Sequence, residues 1–389
     1  MYIFKLIKIM NKFQTPKNRI RKLRVLSLGD KPYEFKASGD DINTTLIDLS
    51  SNDYFGLSRD KDVIDAAHET TLTEGLGSGS SRFISGSRPI HQSLESNLGK
   101  WLNQDSVLLF PSGYQANIAA IEALTDKNTI IIADRLIHNS LLVGAKASGA
   151  KLIRFLHNNL KDLENKLSKY SIINNSILVV IESLYSMEGS IAPIEKITKL
   201  CKKYNCKLLV DEAHALGILG NKGKGLSNPF LDSISMISGT FGKAFGSGGA
   251  FLASNKKIGE MLIQTSSPFR YTTALSPSLT AGALKSLQII KKNQNLGIDL
   301  LEISKRWKKE IENIGKFKVI GDAHILSLII GDEDKTMMMQ KFLEEKGFLA
   351  VSIRPPTVPA GKSRIRLTIR SSFDAKILKN FISVLKAYK

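Results

Sequence analysis

Lys243 stands in Ser238-Gly239-Thr240-Phe241-Gly242-Lys243-Ala244-Phe245-Gly246-Ser247-Gly248-Gly249-Ala250, a stretch with no other charge in a chain that carries 55 lysines and arginines. An ammonium framed by glycines, small hydroxyls and two phenylalanines is poorly solvated, so its neutral amine becomes accessible near neutral pH. In that state a lysine acts as a nucleophile and forms a Schiff base. The competing reading is a solvated lysine on a flexible glycine loop. Asp211 lies 32 residues upstream, at the end of the apolar run Lys207-Leu208-Leu209-Val210 and just before Glu212-Ala213-His214. That run predicts a short strand delivering a carboxylate to its C-terminal end, where open α/β sheets collect their ligands. A strand-end aspartate is also a common helix cap. Taken together, the isolated amine and the delivered carboxylate favour a cofactor site.

Three further segments carry the same strand-end signature. Phe110-Pro111-Ser112-Gly113-Tyr114-Gln115-Ala116-Asn117 follows an apolar run and opens a helical pattern. A glycine there lets a phosphate approach the helix N-terminus, where free N–H groups and the dipole favour anions. Ser-Gly at a helix start is equally ordinary capping. Thr240 adds a hydroxyl beside Lys243, suited to the same phosphate. Asp134-Arg135-Leu136-Ile137-His138-Asn139-Ser140 places His138 after another run, where a flat imidazole can stack on a planar ring or serve as a structural histidine. Glu182-Ser183-Leu184-Tyr185-Ser186-Met187-Glu188-Gly189 follows a further run and offers Ser186.

These residues need a sheet whose strands end on one edge. Apolar runs at Ser106–Phe110, Thr129–Ala133, Lys151–Phe155, Ser176–Ile181, Lys207–Val210, Met236–Ser238 and Gly249–Ala253 alternate with helical segments. That alternation predicts a largely parallel, doubly wound α/β sheet. Leu46–Leu49 reads as a short strand ahead of Asn52-Asp53-Tyr54-Phe55-Gly56-Leu57, and Leu275 to about Gly315 as helix. The tail reads strand, helix, strand, strand, helix at His324–Ile330, Lys335–Lys346, Leu349–Ile353, Ser363–Ile369 and Ala375–Ala387, a small α/β domain. The expected division is an N-terminal arm over 1–60, a large domain over 61–290 and a small domain over 291–389.

With 389 residues the chain exceeds the size at which one core usually splits. Its 42% hydrophobic content describes a soluble globular protein, and no apolar run approaches the ~18–20 residues of a membrane span. The start, Met1 to Met10, is too short and lysine-broken for a signal peptide; Met10 is an alternative initiator that would make residues 1–9 an extension. A formal net charge of +19 invites nucleic acid. The lysines are dispersed, however, without an arginine-rich arm, zinc-finger spacing or RNP-like aromatics, so solvated faces are expected. The charge also suits acidic partners such as coenzyme A phosphates or an acidic carrier protein. Cys201 and Cys206 fit no common zinc pattern and no disulfide framework, as for structural thiols in a reducing cytoplasm. No metal is expected. Walker A and G-x-G-x-x-G sequences are absent.

Together the segments closely resemble the α-oxoamine synthase family of pyridoxal 5′-phosphate (PLP) enzymes. The resemblance runs from Asn52-Asp53-Tyr54-Phe55-Gly56-Leu57 to Arg354-Pro355-Pro356-Thr357-Val358-Pro359-Ala360-Gly361 and Arg364-Ile365-Arg366. It implies PLP fold type I, aspartate aminotransferase-like, with a seven-stranded mostly parallel large-domain sheet. It also implies an acyltransferase that condenses an amino acid with an acyl thioester and releases carbon dioxide. By similarity, Lys243 holds the cofactor aldehyde and removes the substrate α-proton, Asp211 keeps the pyridine nitrogen protonated, and His138 stacks on the ring. Ser186 and His214 would contact the ring oxygen, while Gly113, Tyr114 and Thr240 surround the phosphate. Arg366 would bind the amino-acid carboxylate with Asn52, and Thr357 would line the substrate pocket. An arginine of the basic N-terminal segment contacts substrate in the family; Arg19, Arg21 and Arg24 compete here, with Arg24 preferred. A Tyr-Thr-Thr segment like Tyr271-Thr272-Thr273 reaches the neighbouring subunit's phosphate, so Thr272 implies a homodimer with shared active sites.

The Arg-Pro-Pro-Thr-Val-Pro stretch is most similar to the biotin-pathway branch, which joins L-alanine to pimeloyl-CoA or a pimeloyl carrier protein. The alternative is the branch using glycine and acetyl-CoA. Phe55 in place of the usual leucine, and serine in Gly77-Ser78-Gly79-Ser80-Ser81-Arg82 where glycine is common, bear on acyl choice.

Overall fold

The computed structural model describes Pro16, residues 19–39, residues 42–173 and residues 176–388. The expectation about residues 1–9 and Met10 lies outside the described residues. Strands β1 (Leu26–Leu28), β2 (Glu34–Gly39) and β3 (Ile42–Asp48) open the chain. Then come β4 (Ser106–Phe110), β5 (Ile130–Asp134), β6 (Lys151–Phe155), β7 (Ile177–Glu182), β8 (Lys207–Asp211), β9 (Met236–Thr240) and β10 (Ala250–Ser254). These seven form one sheet in the order β4-β10-β9-β8-β7-β5-β6. Strand β10 alone runs antiparallel to its neighbours; the other pairs through the sheet are parallel. The order implies crossover helices on both faces, which explains why β5 and β7 are buried along their whole length and built largely of Ile, Val, Leu and Ala.

The helices between them start on the side chains the sequence offers. Ser112 caps Gly113–Leu124 through the Gln115 N–H, His138 caps Asn139–Ala147, and Asn159 caps Leu160–Ser171. Helices Pro277–Lys292 and Leu296–Glu312 lead to the tail. There β11 (Lys318–Ile320), β12 (Ile325–Gly331), β14 (Val351–Ile353) and β15 (Ser363–Thr368) form an antiparallel sheet in the order β11-β12-β15-β14. The single strand expected over Leu349–Ile353 is divided. Its first part, β13 (Phe348–Leu349), joins the N-terminal sheet by pairing parallel to Ile47 and Asp48, and the chain crosses to the other sheet at buried Ala350. The first strands therefore share a sheet with the tail. Among the described residues no helix is long and apolar enough to cross a membrane.

The Lys243 turn is fixed by steric fit. The Gly246 N–H donates to the Lys243 carbonyl oxygen at 2.9 Å, and Gly246 adopts φ 57°, the left-handed region. A Cβ on Gly246 would lie 2.2 Å from the Ser58 backbone nitrogen, so the turn is pressed against the segment after Gly56. Gly246→Ala combines left-handed strain with overpacking and is expected to cost about 2–4 kcal/mol of unfolding free energy. Urea denaturation checks this; a loss within experimental error would contradict the packing described.

Candidate active site

The C-terminal ends of β7, β8 and β9 meet the start of the Gly113–Leu124 helix around a cavity of ≈ 170 Å³. Gly113, Tyr114, Asn117, His138, Glu182 and Asp211 line one side, and Ala213, His214, Thr240 and Lys243 complete it. Eight residues expected from the sequence to matter, Lys243, His138, Asp211, Gly113, Tyr114, His214, Thr240 and Arg366, lie at this cavity or bond to its surroundings.

Burial pushes the Lys243 amine down to about 8; Asp211 and Glu182 pull it back up, and Arg366 pushes it further down. Asp211 is buried and oriented by two donors: Asn117 Nδ2 reaches one oxygen at 2.7 Å and the Ala213 N–H the other at 2.9 Å. His138 presents an exposed ring to the cavity while Ser140 Oγ lies 2.7 Å from its Nδ1. Ser140 also accepts from Asn117 Nδ2 at 2.9 Å, so ring and carboxylate are held by one amide. His214 is buried, with its Nδ1 2.6 Å from the Tyr54 hydroxyl. Burial first, then Lys243 and Arg366, hold its imidazole well below the usual histidine range, so it is neutral.

Arg366 emerges from β15 into the same region. Its Nε donates to the Ser186 carbonyl oxygen at 2.7 Å, and its Nη2 to Asn52 Oδ1 at 3.0 Å. Ser186 thus meets the site through its backbone, and it is not among the residues lining the cavity. Thr272 lies in a separate cavity of ≈ 450 Å³ with Ser81, Phe83, Ile84, Arg270, Tyr271 and Thr273. Among the N-terminal arginines, Arg24 is drawn to Glu344 at 2.5 Å and Arg19 to Glu333 at 2.6 Å. Arg21 instead reaches Thr357 Oγ1 at 3.4 Å and the Arg354 carbonyl at 3.3 Å. Arg24, the arginine preferred from the sequence, is thus paired with a local carboxylate, and Arg21 is the one that lies beside Thr357.

Glu182 was not singled out from the sequence. It ends β7 directly opposite Asp211 in the β7–β8 register. Two carboxyls side by side cannot both ionise cheaply; burial, then Asp211, push Glu182 well up, while Lys243 pulls it back down. The signal was present as an acidic residue closing an apolar run parallel to the one that ends in Asp211.

These residues fit PLP on the structure's own terms. A Cβ at Gly113 would sit 3.6–3.7 Å from Thr240, so the absent side chain leaves an anion cradle between the first helical turn and the Thr240 hydroxyl. Asn117 Oδ1 and Glu182 Oε1 are buried at the cavity without a protein partner among the described residues. A Schiff-base amine and a buried carboxylate complete the donor set that such a ring requires.

Fold and site define a PLP-dependent enzyme of fold type I. Residues 44–385 match the family Aminotransferase class I and II. An 8-amino-7-oxononanoate synthase from Alkalilimnicola ehrlichii is 33% identical over 94% of this chain and 93% of its own length. A structure of SPT with PLP superposes with a TM-score of 0.89 at 27% identity, covering 99% of this chain and 96% of that one. The crystal structure of 8-amino-7-oxononanoate synthase from Francisella tularensis gives a TM-score of 0.76 at 26% identity over 88% of this chain and 97% of that one. The chain belongs to the aminotransferase class I and II family and, within it, to the 8-amino-7-oxononanoate synthases, PLP-dependent acyltransferases.

Because the Lys243 amine is lowered to about 8, its neutral fraction rises with pH, reaches one half near that value and levels off about one to two units above it. The rate at which cofactor-free protein takes up PLP into a borohydride-reducible bond is expected to follow that curve. Lys243→Arg is expected to yield no such bond by mass spectrometry, and a bond at another lysine would displace Lys243 from its role.

Proposed function

We propose that this chain joins L-alanine to pimeloyl-CoA or a pimeloyl carrier protein with loss of carbon dioxide, forming 8-amino-7-oxononanoate. The observation that carries the reading is the Lys243 amine facing Asp211 in one cavity, with the Arg366 guanidinium beside it. Bound PLP supplies an aldehyde carbon for an amine to bond and a ring that withdraws electrons from the substrate Cα. Asp211, anchored by Asn117 and the Ala213 N–H, is placed to hold a cationic ring nitrogen. Gly113, Tyr114 and Thr240 supply phosphate donors, and the exposed His138 ring offers a stacking face. Lys243, lowered to about 8, is a base matched to taking the α-proton near neutral pH. Arg366, steadied by Ser186 and Asn52, receives the amino-acid carboxylate.

Arg21 beside Thr357 suits the distal carboxylate of a pimeloyl chain, a reading that favours pimeloyl over acetyl thioester. Thr272, outside the cavity of its own chain, suits a phosphate contact in a second subunit, and a homodimer follows from that reading. The N-terminal arm over 1–60, large domain over 61–290 and small domain over 291–389 are the proposed units around the site. The setting proposed is the cytoplasm.

Incubating the PLP-loaded protein with L-alanine and pimeloyl-CoA is expected to release 8-amino-7-oxononanoate and carbon dioxide, detected by mass spectrometry. Turnover of glycine with acetyl-CoA alone would replace this assignment by that of a 2-amino-3-ketobutyrate CoA ligase. Arg366→Ala is expected to raise KM for alanine about 100-fold or more. Arg21→Ala is expected to raise KM for the pimeloyl thioester about tenfold, with KM for alanine changed less than about twofold. Initial-rate kinetics at varied concentrations of each substrate separates the two.

A further inference from the structure

Tyr54 is fully buried, and its hydroxyl touches two groups of the site. His214 Nδ1 lies at 2.6 Å and Asn52 Oδ1 at 3.3 Å, and Asn52 Oδ1 in turn accepts from Arg366 Nη2 at 3.0 Å. The backbone holds the side chain firmly: the Tyr54 carbonyl accepts from the Ser371 N–H at 2.9 Å, and the Tyr54 N–H donates to the Asn52 carbonyl at 2.9 Å. The His324 ring packs edge-on against the Tyr54 ring at a centroid distance of 4.2 Å and 74°. His324 is buried, and neither of its ring nitrogens has a partner among the described residues. It therefore acts here as an apolar wall.

The phenol has one proton to donate. Asn52 Oδ1 already accepts from Arg366 at 3.0 Å, and the contact to His214 is shorter by 0.7 Å, which follows from 3.3 and 2.6 Å. The proton thus belongs to the contact with His214 Nδ1, while Arg366 occupies the Asn52 oxygen on the other side. A neutral imidazole that accepts at Nδ1 must carry its own proton on Nε2. Nε2 has no protein partner among the described residues, and His214 lines the cavity, so Nε2–H is the donor left to face the bound ring.

We propose that Tyr54 is a positioning residue that fixes His214 as the Nε2–H tautomer and links that donor to the Arg366 carboxylate clamp. The inference rests on the PLP reading of the site and extends it to how the ring oxygen is recognised. Because Arg366 donates to Asn52 Oδ1, which lies 3.3 Å from the phenol oxygen, the guanidinium takes the competing acceptor and leaves the hydroxyl proton to His214. The groups facing the pair are Lys243, Arg366, His138 and His324, all of which disfavour a second proton on His214. The imidazole therefore changes tautomer, not charge, when Tyr54 is altered.

Two measurements test this. In the uniformly ¹⁵N-labelled, cofactor-free full chain, long-range ¹⁵N–¹H correlation is expected to show His214 protonated at Nε2, and Tyr54→Phe to shift population to Nδ1–H. Nδ1–H in the wild-type chain, or an unchanged tautomer in Tyr54→Phe, overturns the proposal; the wild-type result stands even where the variant folds poorly. In the PLP-loaded protein, Tyr54→Phe is expected to raise the midpoint of the pH-dependent visible absorbance change by about one unit, through loss of one hydrogen bond to a charged oxygen. In a chain that already carries His214→Gln, adding Tyr54→Phe is expected to leave that midpoint where it was, and a shift that persists without His214 overturns the link. Failure of the wild-type protein to bind PLP would instead overturn the cofactor reading, and the tautomer measurement on the cofactor-free chain stays independent of it.

Discussion

An ammonium taken out of water must either lose its proton or find compensating charge, and Lys243 does part of each. Burial lowers the amine to about 8, while Asp211 and Glu182 limit the fall. The carboxyls exact their own condition, because they end adjacent strands in register and the charge of Asp211 pushes Glu182 towards its protonated form. Arg366 adds a cation from another sheet, so the guanidinium works against the two acids in deciding how readily the amine gives up its proton. The turn that presents the lysine is held by the contact of Gly246 with the Ser58 backbone, far away in sequence.

The sheet makes this balance possible. Parallel strands β7, β8 and β9 bring their C-terminal ends to one edge, so Glu182, Asp211 and Thr240 arrive together without long loops. Asn117, from the helix after β4, ties Asp211 to Ser140 and through it to His138. The antiparallel β10 returns the chain beside β9 directly after the Lys243 turn, limiting how far that turn can move. Around this edge the small antiparallel sheet supplies Arg366, and the segment after β3 supplies Asn52 and Tyr54. The polar chain from Arg366 through Asn52 and Tyr54 to His214 joins the region suited to a carboxylate with the region suited to a ring.

Much of this could be read from the order of residues. Strand-forming runs, each followed by a polar or charged side chain, predicted the sheet edge and the residues that meet at its cavity, among them Lys243, Asp211, Gly113, His138 and His214. Each depends only on its own neighbours: Val, Ile and Leu runs form strands, Ser112 caps a helix, and glycines around Lys243 leave room. Local patterns of that kind are legible because period and composition act over a few residues. The N-terminal segment was less legible, since β2 and β3 carry weak alternation and owe their sheet partly to β13, from the far end of the chain.

What tertiary structure alone decided concerns distances between residues remote in sequence. Three N-terminal arginines look equivalent on paper; Glu344 and Glu333 occupy two of them and leave Arg21 by Thr357. Ser186 offered a hydroxyl by its type, whereas the structure engages its carbonyl oxygen through Arg366. Glu182 and Tyr54 gained meaning from register and from a 2.6 Å contact spanning 160 residues. Sequence determines which groups are available and on which kind of element they sit. Protonation and pairing depend on burial and on charges within a few ångströms, and only the folded chain sets those.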